Sequence, residues 1–170
     1  MKFEREGIVM QLEQQDLFKG ERVVMERKAN AMIDFEEFGM KKIKYSSFRK
    51  QEAIGGKLYV TNYRLIFKSH SINRVRGMYS ILLPTIQFVK DASFLVVKKI
   101  EVLSKDNTYI FVVWGIKELL EEIERVKSNL SVEEKVWLEN IRESDEEKCG
   151  EGLKRFKEME EIVEIMEQLY

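Results

Sequence analysis

Cysteine, proline and histidine occur once each in these 170 residues, and each scarcity excludes something. The single cysteine, Cys149, rules out an intramolecular disulfide and fits a reducing compartment. One histidine and one cysteine cannot build a His-Cys zinc site or a His-rich metal site within one chain. With so little proline, Pro84 becomes a clear stop signal for the segment before it. Long apolar runs are also missing, and none approaches the roughly 20 residues of a spanning helix. The start of the chain carries Lys2, Glu4, Arg5 and Glu6 around a short apolar patch, which is unlike a signal peptide. These absences predict a cytoplasmic protein, peripheral on a membrane at most. Hydrophobic residues, at 44%, are plentiful enough for a globular core.

Catalytic signatures are equally sparse. Ser69-His70-Ser71 juxtaposes a hydroxyl and an imidazole, but nucleophilic catalysis also needs an orienting acid and an oxyanion hole. His70 therefore reads as a loop residue among basic neighbours. Gly55-Gly56 has neither the Lys-Ser/Thr of a P-loop nor dinucleotide-loop spacing. No enzyme, cofactor or metal is predicted.

What the chain does have is segregated charge. Its net charge of −1 conceals ten Lys/Arg against one acid in residues 40–76, and nine against seventeen in residues 117–170. Such a basic middle and acidic tail can serve an anionic partner or satisfy each other.

The basic middle contains the most informative run, Lys57-Leu58-Tyr59-Val60-Thr61-Asn62-Tyr63-Arg64-Leu65-Ile66-Phe67-Lys68. Its two ends, Lys57–Val60 and Leu65–Lys68, are rich in β-branched, aliphatic and aromatic residues, which predicts paired strands. Between them Asn62 tolerates the positive φ of a tight turn, and Gly55-Gly56 in front reads as a loop or bulge. The hairpin acquires a basic rim from Lys57, Arg64 and Lys68. Alternation places Leu58, Val60, Leu65 and Phe67 on the core side.

Around this hairpin, strand patterns are expected at Glu21–Ile33, Ile43–Phe48, Met78–Leu83, Phe94–Leu103 and Thr108–Trp114. Ile116, Leu119, Leu120, Ile123 and Val126 then recur at helical spacing. The expected fold is mainly β with C-terminal α: a seven-stranded barrel or sandwich plugged by an amphipathic helix. Ser131-Val132-Glu133-Glu134 is a capping-box pattern that predicts a further helix with Val136, Trp137 and Ile141 on one face. A last helix at residues 153–170 repeats Phe156, Met159, Val163, Met166 and Tyr170 at 3-4 spacing, which suits self-packing or a homodimer.

Thr61-Asn62 followed by Arg64-Leu65-Ile66-Phe67, with Gly56 ahead, Gly20-Glu21 before the first strand and Tyr109-x-Phe111 before the helix, resembles the GRAM domain of the pleckstrin-homology-like superfamily. The resemblance covers residues 20–130, leaving an N-terminal segment, 1–19, and a helical extension, 131–170. It implies a non-catalytic module that binds anionic membrane lipid or docks a protein. In such a fold the connections at 34–42, 61–63 and 104–107 would ring the ligand end, with 49–56 and 69–78 away from it. Lys42-Ile43-Lys44-Tyr45-Ser46 supplies two lysines of the lipid-binding pattern, with Ser46 where an arginine is expected.

The candidate anion-binding residues are Lys41, Lys42, Lys44, Arg49, Lys50, Arg74 and Arg76. Interleaved aromatics raise single-stranded nucleic acid as a partner, but the acidic tail and strand periodicity argue against it. The alternative class is a structural adaptor that self-associates through residues 153–170. The acidic helices are further expected to fold back toward Arg49, Lys50, Arg74 and Arg76.

Overall fold

A computed structural model describes residues 11–34, 51–70, 73, 77–105 and 107–144. Within them seven strands form one antiparallel sheet: β1 (Val23–Asp34), β2 (Gln51–Thr61), β3 (Arg64–Ser69), β4 (Met78–Leu82), β5 (Ile86–Asp91), β6 (Lys99–Ser104) and β7 (Thr108–Val113). The spatial order is β4-β3-β2-β1-β7-β6-β5, so β1 sits in the middle and joins two meanders. The sheet curls around its own apolar face. Helix α1 (Ile116–Ser128) sets Leu119, Ile123 and Val126 into the same core. Helix α2 (Val132–Ser144) follows after a short link.

The hairpin pairs as its alternation requires, with Leu58 opposite Phe67 and Val60 opposite Leu65, all buried. Phe67 meets Tyr79 at 5.6 Å and Phe111 at 6.0 Å between ring centroids, linking both meanders through one aromatic cluster. Tyr59, Ile66 and Lys68 on the opposite face are buried as well. A chain segment before β1 covers that face.

Four local expectations are corrected. Gly55-Gly56 lies inside β2, not in a loop or bulge ahead of it. A Cβ on Gly56 would overlap the Lys68 carbonyl and come within 2.9 Å of Ser69 Cα. Glycine is needed there for close approach of β3. Among the described non-glycine residues positive φ belongs to Leu95, so Asn62 does not turn the hairpin by a left-handed backbone. The long strand expected at Phe94–Leu103 is β6 plus a turn, in which Phe94 and Val97 exchange backbone hydrogen bonds at 3.0 Å. The strand before it, β5, was hidden because its register slips between Ile86 and Phe88 and leaves Gln87 and Phe88 both exposed. The strand expected at Ile43–Phe48 lies outside the described residues.

The capping box forms as the sequence predicts: Glu134 N–H donates to Ser131 Oγ at 3.1 Å, and Ser131 N–H to Glu134 Oε2 at 2.9 Å. The buried face of α2 differs from expectation. Leu138 is fully buried and Ile141 partly so, whereas Val136 stays exposed and Trp137 is half out of solvent.

Phe67→Ala is expected to cost roughly 3–5 kcal/mol, the range for truncating a buried aromatic, because its ring touches both meanders. Urea unfolding of the two proteins measures this, and an unchanged midpoint would contradict the assigned packing.

Candidate functional site

The rim of the hairpin is basic in sequence but not in effect. Arg64, 2% exposed, donates from Nε to Glu21 Oε1 at 2.9 Å and from Nη2 to Glu21 Oε2 at 3.0 Å. Nη2 also reaches the Asp16 carbonyl, Nη1 reaches Ser80 Oγ at 3.2 Å, and the guanidinium lies 4.0 Å from the Phe18 ring centroid. Glu21 is equally well satisfied: the Thr61 hydroxyl donates to Oε1 at 2.8 Å and the Phe18 amide to Oε2 at 2.7 Å. Thr61 Oγ1 in turn accepts the amides of Tyr63 and Arg64 at 3.1 and 2.9 Å, which shapes the turn.

Asn62 completes the joint with its side chain. Its Oδ1 accepts the Arg22 amide at 2.8 Å, and its Nδ2 donates to the Gly20 carbonyl at 3.3 Å. Lys68 Nζ donates to Asp16 Oδ2 at 2.6 Å and to the Gln11 carbonyl at 2.9 Å. Residues 11–22 are thus strapped over β3 by two buried cations. Lys57 bonds Glu26 at 2.8 Å, which holds its ammonium above the ordinary lysine value. Arg64 and Lys68, and to a lesser degree Lys57, are therefore committed to internal partners rather than offered to a phosphate.

The Tyr59 hydroxyl, on this same covered face, is buried without a hydrogen-bond partner among the described residues. Burial pushes its phenol pKa up, and the Lys57 ammonium opposes this. Farther along β2, His70 lies beside Gly55 and has its pKa lowered by burial first, then by Lys28 and Lys57. That favours the neutral ring and offers no catalytic partner. Among the described residues no group of three His, Cys, Asp or Glu side chains could hold a metal ion.

The register of β1 and β2 decides where the remaining basic residues leave the sheet. Asp34 pairs with Gln51, so the β1–β2 connection, residues 35–50, departs from one end. The β3–β4 connection opens toward that same end, with Ser69 N–H bonded to the Gly77 carbonyl at 2.9 Å. Lys41, Lys42, Lys44, Arg49 and Lys50 belong to the first connection, Arg74 and Arg76 to the second, and all seven lie outside the described residues. This corrects the expected division of the loops. Residues 61–63 turn at the opposite end, while residues 49–50 and 70–77 belong with 35–48.

Helix α2 docks beside the hairpin turn, where Trp137 meets Tyr63 at 5.2 Å and Phe18 at 5.9 Å. The first helix of the acidic extension thus packs at the hairpin-turn end, away from the two basic connections. The expectation that it would cover Arg49, Lys50, Arg74 and Arg76 is not met for α2. Residues 145–170, with the expected dimer helix, lie outside the described residues.

No family model and no curated protein matches the chain. Solved structures do. The C-terminal domain of an unknown protein from Leishmania infantum overlaps at 15% identity and TM-score 0.48, over 65% of this chain and 88% of that one. The Vps36 N-terminal PH domain overlaps at 14% identity and TM-score 0.46, over 66% of this chain and 83% of that one. The linker-DH/PH domains of p115-RhoGEF match at 12% identity and TM-score 0.46, over 68% of this chain but 31% of that longer one. Overlaps this loose carry no argument about superfamily or ligand; the described residues themselves show seven antiparallel strands followed by a helix, the architecture expected from the sequence. Among the described residues, no helix is long and apolar enough to cross a membrane.

Two substitutions test the joint. Arg64→Met leaves Glu21 buried without its cation and is expected to cost about 3–5 kcal/mol, with Glu21→Gln/Arg64→Met recovering part of the loss. Tyr59→Phe removes an unsatisfied hydroxyl and is expected to leave stability equal or up to about 1 kcal/mol higher. Chemical denaturation reads both. A harmless Arg64→Met or a damaging Tyr59→Phe would contradict the bonding described.

Proposed function

We propose that this chain is a non-catalytic binding module of GRAM type that recognises an anionic membrane surface through its two basic connections. The supporting observation is the antiparallel register, which opens the β1–β2 and β3–β4 connections toward one end of the sheet. Together residues 35–50 and 70–77 contain seven Lys/Arg and two acids. Arg64 and Lys68 are neutralised internally and do not compete with that end for an anion.

The GRAM assignment draws on the way the resembling residues interlock. Glu21, Thr61 and Arg64 form one buried unit, Asn62 ties Gly20 and Arg22 to the turn, and Phe67 fills the core. Gly20, Glu21, Thr61, Asn62 and Arg64 thus share one mechanical task, holding the segment before β1 against the hairpin. Ligand contact falls to other residues.

Co-sedimentation with vesicles of phosphatidylcholine, with and without phosphatidylserine, tests the reading. Lys41→Glu/Lys42→Glu/Lys44→Glu is expected to weaken binding to the anionic vesicles about a hundredfold, from roughly 1 kcal/mol per basic residue near the surface. Arg74→Glu/Arg76→Glu should act in the same direction, and added salt should weaken the parent protein too. Unchanged affinity in both variants would refute the assignment.

A further inference from the structure

Among the described residues, the turn between β5 and β6 gathers the most exposed apolar side chains. Four consecutive apolar residues form it: Phe94 is 69% exposed, Leu95 82%, Val96 83% and Val97 44%. Isolated exposed hydrophobics are ordinary, but a contiguous projecting set is not. Trp114 adds to it. Val113 N–H bonds the Lys98 carbonyl at 3.0 Å, so β7 runs beside the base of the turn, and the next residue, Trp114, is 70% exposed.

The backbone points the same way. Phe94 and Val97 close a two-residue turn, and its first residue, Leu95, has φ 53. That conformation suits glycine and strains a branched side chain. Folding alone favours glycine at this position. The leucine there packs on little of its own domain, and its strain stabilises nothing in the isolated molecule.

We infer that the β5–β6 tip is a wedge that inserts its apolar side chains into a lipid bilayer. Shape selects the bilayer over a protein groove: the tip is a convex knob, which a fluid apolar phase accepts without a preformed pocket. Charge selects an anionic one. Lys98 is exposed and Lys99 half-buried just behind the apolar residues, and Arg27 approaches Gly115 at the end of β7. Two acids stand among these three cations: Asp91, which accepts the Ser93 amide at 2.8 Å, and Glu118, beside Arg27 at Gly115. Lysines behind an apolar tip, with an exposed tryptophan alongside, match the layered chemistry of a membrane interface. The tip lies toward the first half of β1, through Val113 opposite Ala29, whereas the basic β1–β2 connection follows Asp34 at the other end. The wedge therefore rests on its own observations and is separable from those seven residues.

The test uses the full chain with Cys149→Ser and a single new cysteine, Val96→Cys, carrying an environment-sensitive dye. Vesicles are phosphatidylcholine with about one third phosphatidylserine. The expected result is a blue-shifted emission, quenched by nitroxide in the acyl chains, while the same dye at Lys105→Cys stays aqueous. Leu95→Gly/Val96→Ser, which relieves the backbone strain, should hold or raise the melting temperature and weaken vesicle binding at least about tenfold. A bound protein whose dye at 96 remains in water overturns the wedge, as does full affinity in Leu95→Gly/Val96→Ser. Loss of binding in Lys41→Glu/Lys42→Glu/Lys44→Glu, with none in the tip variant, overturns the wedge but upholds the basic-connection reading. A tip variant that disperses a dimer of the parent, which itself ignores vesicles, overturns it in favour of a second copy of the chain.

Discussion

A guanidinium withdrawn from water must have its N–H groups answered by fixed acceptors, and the arrangement around Arg64 is organised by that demand. Glu21 supplies two acceptors, the Asp16 carbonyl and Ser80 hydroxyl supply others, and Phe18 covers the cationic plane. These groups come from the strap before β1 and from β4. One residue at the hairpin turn thereby fixes two distant pieces of chain. Removing any partner strands a buried charge, so the joint makes the strap's position highly specific even if the pair adds little net stability.

That joint divides the molecule into two unlike ends. At the hairpin-turn end, cations are neutralised, Trp137 of α2 packs on Tyr63 and Phe18, and the backbone is tied down by Asn62. At the opposite end the β1–β2 and β3–β4 connections depart carrying seven of the ten Lys/Arg in residues 40–76. The sheet between them is stiffened by the Phe67, Tyr79 and Phe111 rings. A rigid frame with variable connections at its edge is a common physical solution for binding, because loops can change without disturbing the core.

Much of this was legible in the sequence for identifiable reasons. Alternation in Leu58, Val60, Leu65 and Phe67 has a period of two, and burying that face leaves one register for the hairpin. The 3.6-residue spacing of Leu119, Ile123 and Val126 marked α1, and Ser131 with Glu134 marked the start of α2. The β5–β6 tip was not legible. Phe94-Leu95-Val96-Val97 has the composition of a strand, and its turn is made by a leucine at positive φ instead of a glycine or asparagine.

Sequence by itself determined the class of the molecule, a mainly antiparallel β fold with trailing amphipathic helices, because periodicity and turn chemistry are local properties. It also revealed how much basic charge lay in residues 40–76, but not which cations remained available. That was decided by tertiary structure. Arg64 and Lys68 meet Glu21 and Asp16 across more than forty positions of sequence, and only folding brings those carboxylates within 3 Å. Exposure of the apolar tip was decided in the same way, since whether Leu95 and Val96 are covered depends on what packs above them. Charge and hydrophobicity are written residue by residue, whereas pairing and burial belong to the fold.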